Sequence, residues 1–572
     1  MHAFRRALGA GLLVLVSAFP ALAIEPDAPD ALITRLDAVR ISIIDRLDGK
    51  GKNAIALSKE EKTQFVEYYS QSESLLWVDE AGLTPRVAKT AEAFADAADW
   101  GLDPKAYTSP AAPKFDADSE GAASQLAEAE LDMTLAVYAY AKHAQAGRVT
   151  PSTLGEAMDM QPQAPTLKEA LEAVDRAGGL ESFHPQHQQF LALKAKLAEA
   201  RRAGVAVKKI DLIPSGPNIK PGAEHPQITL IRQRFDLAAL DADRPNLYDE
   251  GLARAVKAYQ KQNGLSDTGV IGAVTRDALN GGPGRGADVK QLLINMERWR
   301  WMKRDLGRMH VRVNIPEFMF RIVKNGAVIH EERIVTGKPE HMTPSFADEM
   351  ETIVLNPSWH VPESIKVNEI LPLLRRNPAY LEKQGLEVSY AGQRRPLSAY
   401  ETDWYSINPD KVTIRQPPGD GNALGKVKFL FPNKHSVYMH DTPSKSLFNQ
   451  SSRAFSHGCM RVRNPLKFAE IMLGEQGWTP ARIQQELATG QEIDVALQRK
   501  TPVHVAYITA WVDDNGEVKT FRDIYGHDKV LAGELGLGPK FSPPKNSSGK
   551  PEFAAEPLQK KRPASTGFFW FN

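Results

Sequence analysis

The run Ser456-His457-Gly458-Cys459-Met460-Arg461 carries the single cysteine of the chain. A lone thiol cannot close an intrachain disulfide, so its fates are a buried core position, an intermolecular bridge or a reactive nucleophile. The neighbours favour the nucleophile. Gly458 admits backbone conformations and close ligand approaches that other residues do not. His457, and His440 in Tyr438-Met439-His440-Asp441-Thr442, supply imidazoles able to draw off the thiol proton. Free cysteines are commonly small apolar core residues, but His-Gly on one side and an arginine two residues on argue against that here. His440 precedes Cys459 by 19 residues. On adjacent strand ends joined by the loop 441–455, its ring would face the sulfur. In an extended segment His457 shares the face of the cysteine. The flanking histidines predict a depressed thiol pKa. The N–H groups around Gly458 and Cys459 are a candidate oxyanion hole, where one donor is worth ~100- to 1,000-fold in rate. Arg461 offers a planar fork for a carboxylate.

Outward from this run the texture is β. Met309–Val313, Met319–Val323 and Ala327–Val335 are rich in β-branched and apolar residues, and Asn325-Gly326 between two of them signals a hairpin. Further strands are expected at Glu351–Leu355, Val427–Leu430 and Val503–Val512, and helices at Pro465–Leu473 and Pro480–Leu487. Residues 290–533 therefore read as a mostly antiparallel β domain. Within it, 361–425 has no clear period and reads as an insertion over the sheet, a candidate lid. The Pro-, Lys- and Ser-rich tail 534–572 reads as disordered.

Upstream, residues 226–282 form a compact helical unit. Leu252, Val256 and Tyr259 recur at helical intervals, Gly264–Gly272 makes a glycine-punctuated turn, and Thr275 is a candidate cap for a second helix. The linker 213–222 separates this unit from an Ala-, Leu- and Glu-rich helical region, with 27–222 taken as one scaffold. Ala88–Ala98 and Glu128–Gln145 are read there as helices. At the amino terminus Arg5-Arg6, an apolar stretch to Phe19 and Ala21-Leu22-Ala23 form a secretory signal peptide over 1–23, removed after Ala23. A retained anchor is the alternative, although the stretch is shorter than the ~20 residues a spanning helix needs. The 572 residues, 42% hydrophobic, suit several domains able to stabilise themselves by burial without a disulfide. A net charge of +1 asks for neither nucleic acid nor an anionic surface as partner.

Tyr438-Met439-His440-Asp441-Thr442-Pro443, the spacer 444–455 and Ser456-His457-Gly458-Cys459-Met460-Arg461-Val462 together resemble the active-site signature of L,D-transpeptidases. Asn356-Pro357-Ser358-Trp359-His360-Val361-Pro362 resembles the segment before the lid in the large subfamily, and Leu76–Leu83 its scaffold domain. The unit at 226–282 resembles small peptidoglycan-binding domains, with Thr268 where those usually carry Asp. The resemblance implies a multidomain α + β protein. A helical scaffold and a small helical wall-binding domain precede a mostly antiparallel β L,D-transpeptidase domain with a lid insertion.

It also implies a chemistry without cofactor or metal. Cys459 attacks the bond between meso-diaminopimelate and D-alanine of a tetrapeptide stem, D-alanine leaves, and a second stem's amine resolves the thioester into a 3→3 cross-link. His440 matches the base, with the Asp441 carbonyl as its partner. Ser456, His457 and Gly458, with Arg461, match the oxyanion and substrate rim. Peptidoglycan stems are then donor and acceptor, carbapenems acylate the enzyme, other cell-wall enzymes are further partners, and the periplasm is the location. Hydrolysis by an L,D-carboxypeptidase and attachment of an envelope protein share the same thioester. A wall-binding scaffold with an inert enzyme domain is the alternative from a different class. A papain-like peptidase would place Cys before His. A zinc site from His440, His457 and Cys459 would need a well-placed set of three or four ligands.

Overall fold

The structure is a computed structural model that describes residues 34–49, 57–72, 74–110, 121–202, 213–214, 216–262, 265–281, 288–391, 393 and 395–544. The expected signal peptide over 1–23, tail residues 545–572 and Ser215 of the linker lie outside the described residues. The chain forms two compact units, Met1–Thr84 with Pro110–Leu131, and Pro85–Ser109 with Asp132–Asn572.

In the first unit, helices Arg35–Leu47 and Lys59–Gln71 each begin with a capping box, Thr34 with Asp37 and Ser58 with Glu61. The ribbon Val78–Asp79/Gly82–Leu83 is tied down by the buried Glu130. Its carboxylate accepts the N–H groups of Leu76, Trp77 and Val78 at 2.7–3.1 Å.

The second unit contains the catalytic-domain sheet. Its nine strands in chain order are β1 (Met309–Asn314), β2 (Met319–Lys324), β3 (Ala327–Gly337), β4 (Phe346–Leu355), β5 (Val427–Leu430), β6 (Met439–His440), β7 (Ala454–Ser456), β8 (Met460–Val462) and β9 (Ile493–Ala506). Their order is β7-β3-β8-β6-β5-β4-β9-β1-β2, and β3 also pairs with β2, so the sheet closes on itself. Pairs β6–β8, β3–β7 and β1–β9 are parallel and the others antiparallel. Asn325 and Gly326 turn β2 into β3 with φ of 52° and 80°, the two positive values that a tight hairpin needs. Alternate residues of these strands, among them Val311, Val313, Phe320, Ile322, Ile353, Leu355, Val427 and Phe429, fill one core with Phe468 and Met472 of helix Pro465–Gly474.

The expected strand 503–512 is interrupted. β9 ends at Ala506 and a separate pair, Ala510–Val512 with Val518–Thr520, follows. The break falls where the Asn295 side chain captures Thr509 N–H at 2.7 Å. That asparagine lies on helix Val289–Arg300, capped by Asp288, which the sequence reading passed over. In the small helical unit, Thr275 lies inside helix Ala273–Gly281 and does not cap it. The Gln260 side chain donates to its buried hydroxyl at 3.0 Å. Ile213 and Ile219 of the Pro- and Gly-rich linker are buried in this unit's core beside Ile228, Tyr248 and Ile271.

Between β4 and β5, the stretch without a clear period has its own small fold. Strands Trp359–His360, Val412–Gln416 and Glu387–Tyr390 form a three-stranded sheet in that order. Leu371, Leu374, Leu381, Val388, Trp404 and Ile414 bury a separate core. Strands of two to five residues and helices of one or two turns are too short to leave a period in sequence.

Gly337 ends β3 where no side chain fits. A Cβ there would lie 1.9 Å from the His341 carbonyl oxygen and 2.8 Å from Thr343 N. Gly337→Ala is expected to cost about 1–3 kcal/mol of stability by forced repacking. Urea denaturation of the full chain measures it, and an unchanged midpoint would contradict the packing described.

Candidate active site

Three neighbouring strands assemble the site. Between β6 and β8, Met439 pairs with Met460 and His440 with Arg461, so Cys459 stands one residue ahead of the paired part of β8. On the other side of β6, β5 sets Lys428 opposite His440. Lys428, His440 and Arg461 therefore form one row across the sheet, and all three line the same cavity as Cys459. The cavity holds about 560 Å³, and Pro362, Ile365 and Leu424 of the insertion, with Trp359 just ahead of it, also line it.

His440 is buried, with Nδ1 2.5 Å from the Asp441 carbonyl oxygen. A carbonyl only accepts, so the proton belongs on Nδ1 and Nε2 carries the free lone pair. The position of Asp441 is itself fixed. Its carboxylate accepts Thr442 N–H at 2.7 Å and Lys426 N–H at 2.8 Å and pairs with Lys445. Gly425 leaves it room, since a Cβ there would lie 2.3 Å from Asp441 Oδ2. Burial, then the charge of Arg461, push His440 down to about 3, against the Asp441 hydrogen bond. The ring is a neutral acceptor at neutral pH.

Cys459 is partly exposed. Its Sγ approaches the Ser436 carbonyl at 3.9 Å, and no hydrogen bond joins it to either histidine among the described residues. Burial pushes the thiol above its ordinary 9.0, against hydrogen bonds from Tyr438 and the charges of Lys428 and Arg461. The expected depressed pKa is thus corrected. The histidines face Asp441 and Glu369, and loss of water outweighs the nearby cations.

His457 lines the same cavity as Cys459, although the chain between them turns at Gly458, with φ of 111°. Its Nε2 lies 3.1 Å from Glu369 of the insertion, and its ring packs 5.0 Å from that of His341. Ser456 lines the cavity, but its hydroxyl is engaged within the loop. It donates to the Cys459 carbonyl at 2.6 Å and accepts Gly458 N–H at 3.2 Å. Of the two proposed oxyanion donors, Gly458 N–H is therefore occupied, while Cys459 N–H has no acceptor among the described residues. Thr343 Oγ1 donates to the Gly458 carbonyl at 2.7 Å and holds the turn from behind. Arg461 is buried, pushed down to about 10 by burial, and its Nη1 has no hydrogen-bond partner.

Three contributors went unnamed in the sequence reading. Tyr438, two residues before His440 on the same strand face, has its hydroxyl at Cys459, and burial keeps it a phenol. That spacing was a signal available in the sequence. Lys428 reaches the site only through strand pairing. Asp159, from the helical region, binds Lys434 Nζ at 2.7 Å and His435 Nε2 at 2.8 Å. It thereby holds the turn in which Ser436 adopts φ of 54° beside the thiol.

Comparison with known proteins agrees with this layout. Residues 308–505 match the family described as the L,D-transpeptidase catalytic domain, 63–197 the scaffold domain, and 225–279 the "Putative peptidoglycan binding domain". A Haemophilus influenzae protein named "Putative L,D-transpeptidase" is 34% identical over 220 residues, 38% of this chain and 44% of that protein. The chain thus spans less than half the length of that curated relative. A solved L,D-transpeptidase from Xylanimonas cellulosilytica is 16% identical, covers 51% of this chain and 98% of its own, and has a TM-score of 0.16. The solved Ldtfm–avibactam carbamoyl enzyme is 12% identical, covers 55% and 98%, and has a TM-score of 0.14. Scores so low carry no argument about this chain.

A protonated thiol beside a neutral imidazole has a distinct pH signature. Alkylation of Cys459 by iodoacetamide is expected to rise with pH through the neutral range and to level off only above 9.0, the ordinary thiol value. A plateau already reached at pH 7 would instead mean a preformed thiolate–imidazolium pair.

Proposed function

We propose that this chain, which carries an L,D-transpeptidase catalytic domain C-terminal to a scaffold domain and a peptidoglycan-binding domain, joins peptidoglycan stems in the periplasm through a cysteine thioester. The observation that carries the reading is that Cys459 lines one cavity with a buried His440 whose Nδ1 is held by the Asp441 carbonyl. In the proposed cycle the Cys459 sulfur bonds to the diaminopimelate carbonyl carbon, and the thiol proton passes to His440 Nε2. The carbon–nitrogen bond to D-alanine breaks, and D-alanine leaves with that proton. The side-chain amine of a second stem then attacks the thioester. His440 relays the amine's proton back to sulfur, and a 3→3 cross-link is released.

A neutral imidazole is free to take the thiol proton as the carbon–sulfur bond forms and to return it to the departing amine. Cys459 N–H is the available oxyanion donor. The apolar wall of the insertion favours an amine over water at the thioester. Residues 225–279 would keep the enzyme on the wall and raise its local substrate concentration.

Incubation with tetrapeptide muropeptides should yield a dimer lighter by one D-alanine. Tripeptide alone would make the enzyme a carboxypeptidase. His440→Ala is expected to lower turnover by ~100- to 10,000-fold, and His457→Ala by much less; the reverse order would reassign the base. A carbapenem should add one mass increment to the protein and none to Cys459→Ala. That inactive variant should still sediment with insoluble sacculi.

A further inference from the structure

Two cations face the Cys459 cavity without a counter-ion. The other charged groups on its wall are paired: Lys434 and His435 with Asp159, His457 with Glu369, and Glu363 with Lys366 at 2.6 Å. Lys428 has no ion pair or hydrogen bond from its ammonium among the described residues; its Nζ lies 4.3 Å above the Tyr438 ring. Arg461 likewise has no ion pair, and its Nη1 is buried and unpartnered. Desolvating a charge without a partner is costly. Here two such groups flank the base, each one strand from His440. Strand spacing of about 4.8 Å sets their backbones about 10 Å apart.

We propose that Lys428 and Arg461 are the two arms of a carboxylate receptor beside the scissile bond, and that Lys428 is the residue that selects donors with a free carboxylate. The assignment rests on the reading that Cys459 is the acylated nucleophile. Arg461 supplies a planar fork and Lys428 a compact point charge. A tetrapeptide donor offers two carboxylates near the bond that breaks, one on the leaving D-alanine and one on the diaminopimelate side chain. Asp494 lies two strands further along the same row, and it and Glu492 act on Lys428 only at a distance; among the described residues neither cation has an ion pair, so the close counter-charge arrives with the donor. Both cations also favour the thiolate, so Lys428 could act on sulfur alone, and the test must separate the two roles.

Iodoacetate and iodoacetamide make that separation, because they alkylate the same sulfur and differ in one carboxylate. In the full-length protein the iodoacetate-to-iodoacetamide rate ratio should exceed that of free cysteine, and a ratio no higher overturns the proposal without any variant. Lys428→Met should lower that ratio by about tenfold, the loss of one charge-assisted hydrogen bond, and Lys428→Arg should restore most of it. Equal slowing of both reagents would mean that Lys428 acts only on the thiolate, and the receptor is then wrong. Donors amidated either at D-alanine or at the diaminopimelate side chain identify the carboxylate. For the relevant one, parent and Lys428→Met converge in kcat/KM. A raised iodoacetate ratio in a protein that turns over no stem would sink the transpeptidase reading and leave the receptor standing.

Discussion

The catalytic arrangement depends on one cross-strand row, Lys428–His440–Arg461, set by the register of β5, β6 and β8. Its middle member is a buried ring between two cations, and that placement keeps the imidazole neutral. The thiol beside it stays protonated because burial outweighs the same cations. At rest the thiol and the imidazole are therefore uncharged, and the positive charge lies on their neighbours.

Several supports hold the row's surroundings in place, and they come from distant parts of the chain. Asp441 sets the His440 ring through its carbonyl while its own carboxylate is held by two backbone N–H groups and Lys445. Thr343 and Ser456 hold the turn at Gly458. Asp159 secures the turn at Ser436, and Glu369 of the insertion binds His457. The last two tie the surroundings of the thiol to the helical region and the insertion.

Local signals in the sequence located much of the fold. Asn325-Gly326 marked a hairpin because only a turn with two positive φ values joins such strands tightly. Val427–Leu430 and Pro480–Leu487 were legible from β-branched runs and from proline at a helix start. Legibility failed where a side chain from elsewhere overrode the local pattern. Asn295 interrupts the run 503–512, and Gln260 occupies the hydroxyl of Thr275. The insertion was opaque because its elements are too short to show a period.

By itself, the sequence singled out the candidate groups for the chemistry. One thiol, two nearby histidines and an arginine stand at a spacing that admits few roles. Tertiary structure alone decided how those groups behave. Glu369 engaged His457, and strand pairing brought Lys428 to the side of His440. Burial raised the thiol and lowered the imidazole. Residue type and spacing are local properties of a chain. Charge state and orientation depend on solvent exclusion and on partners up to 276 residues apart in sequence.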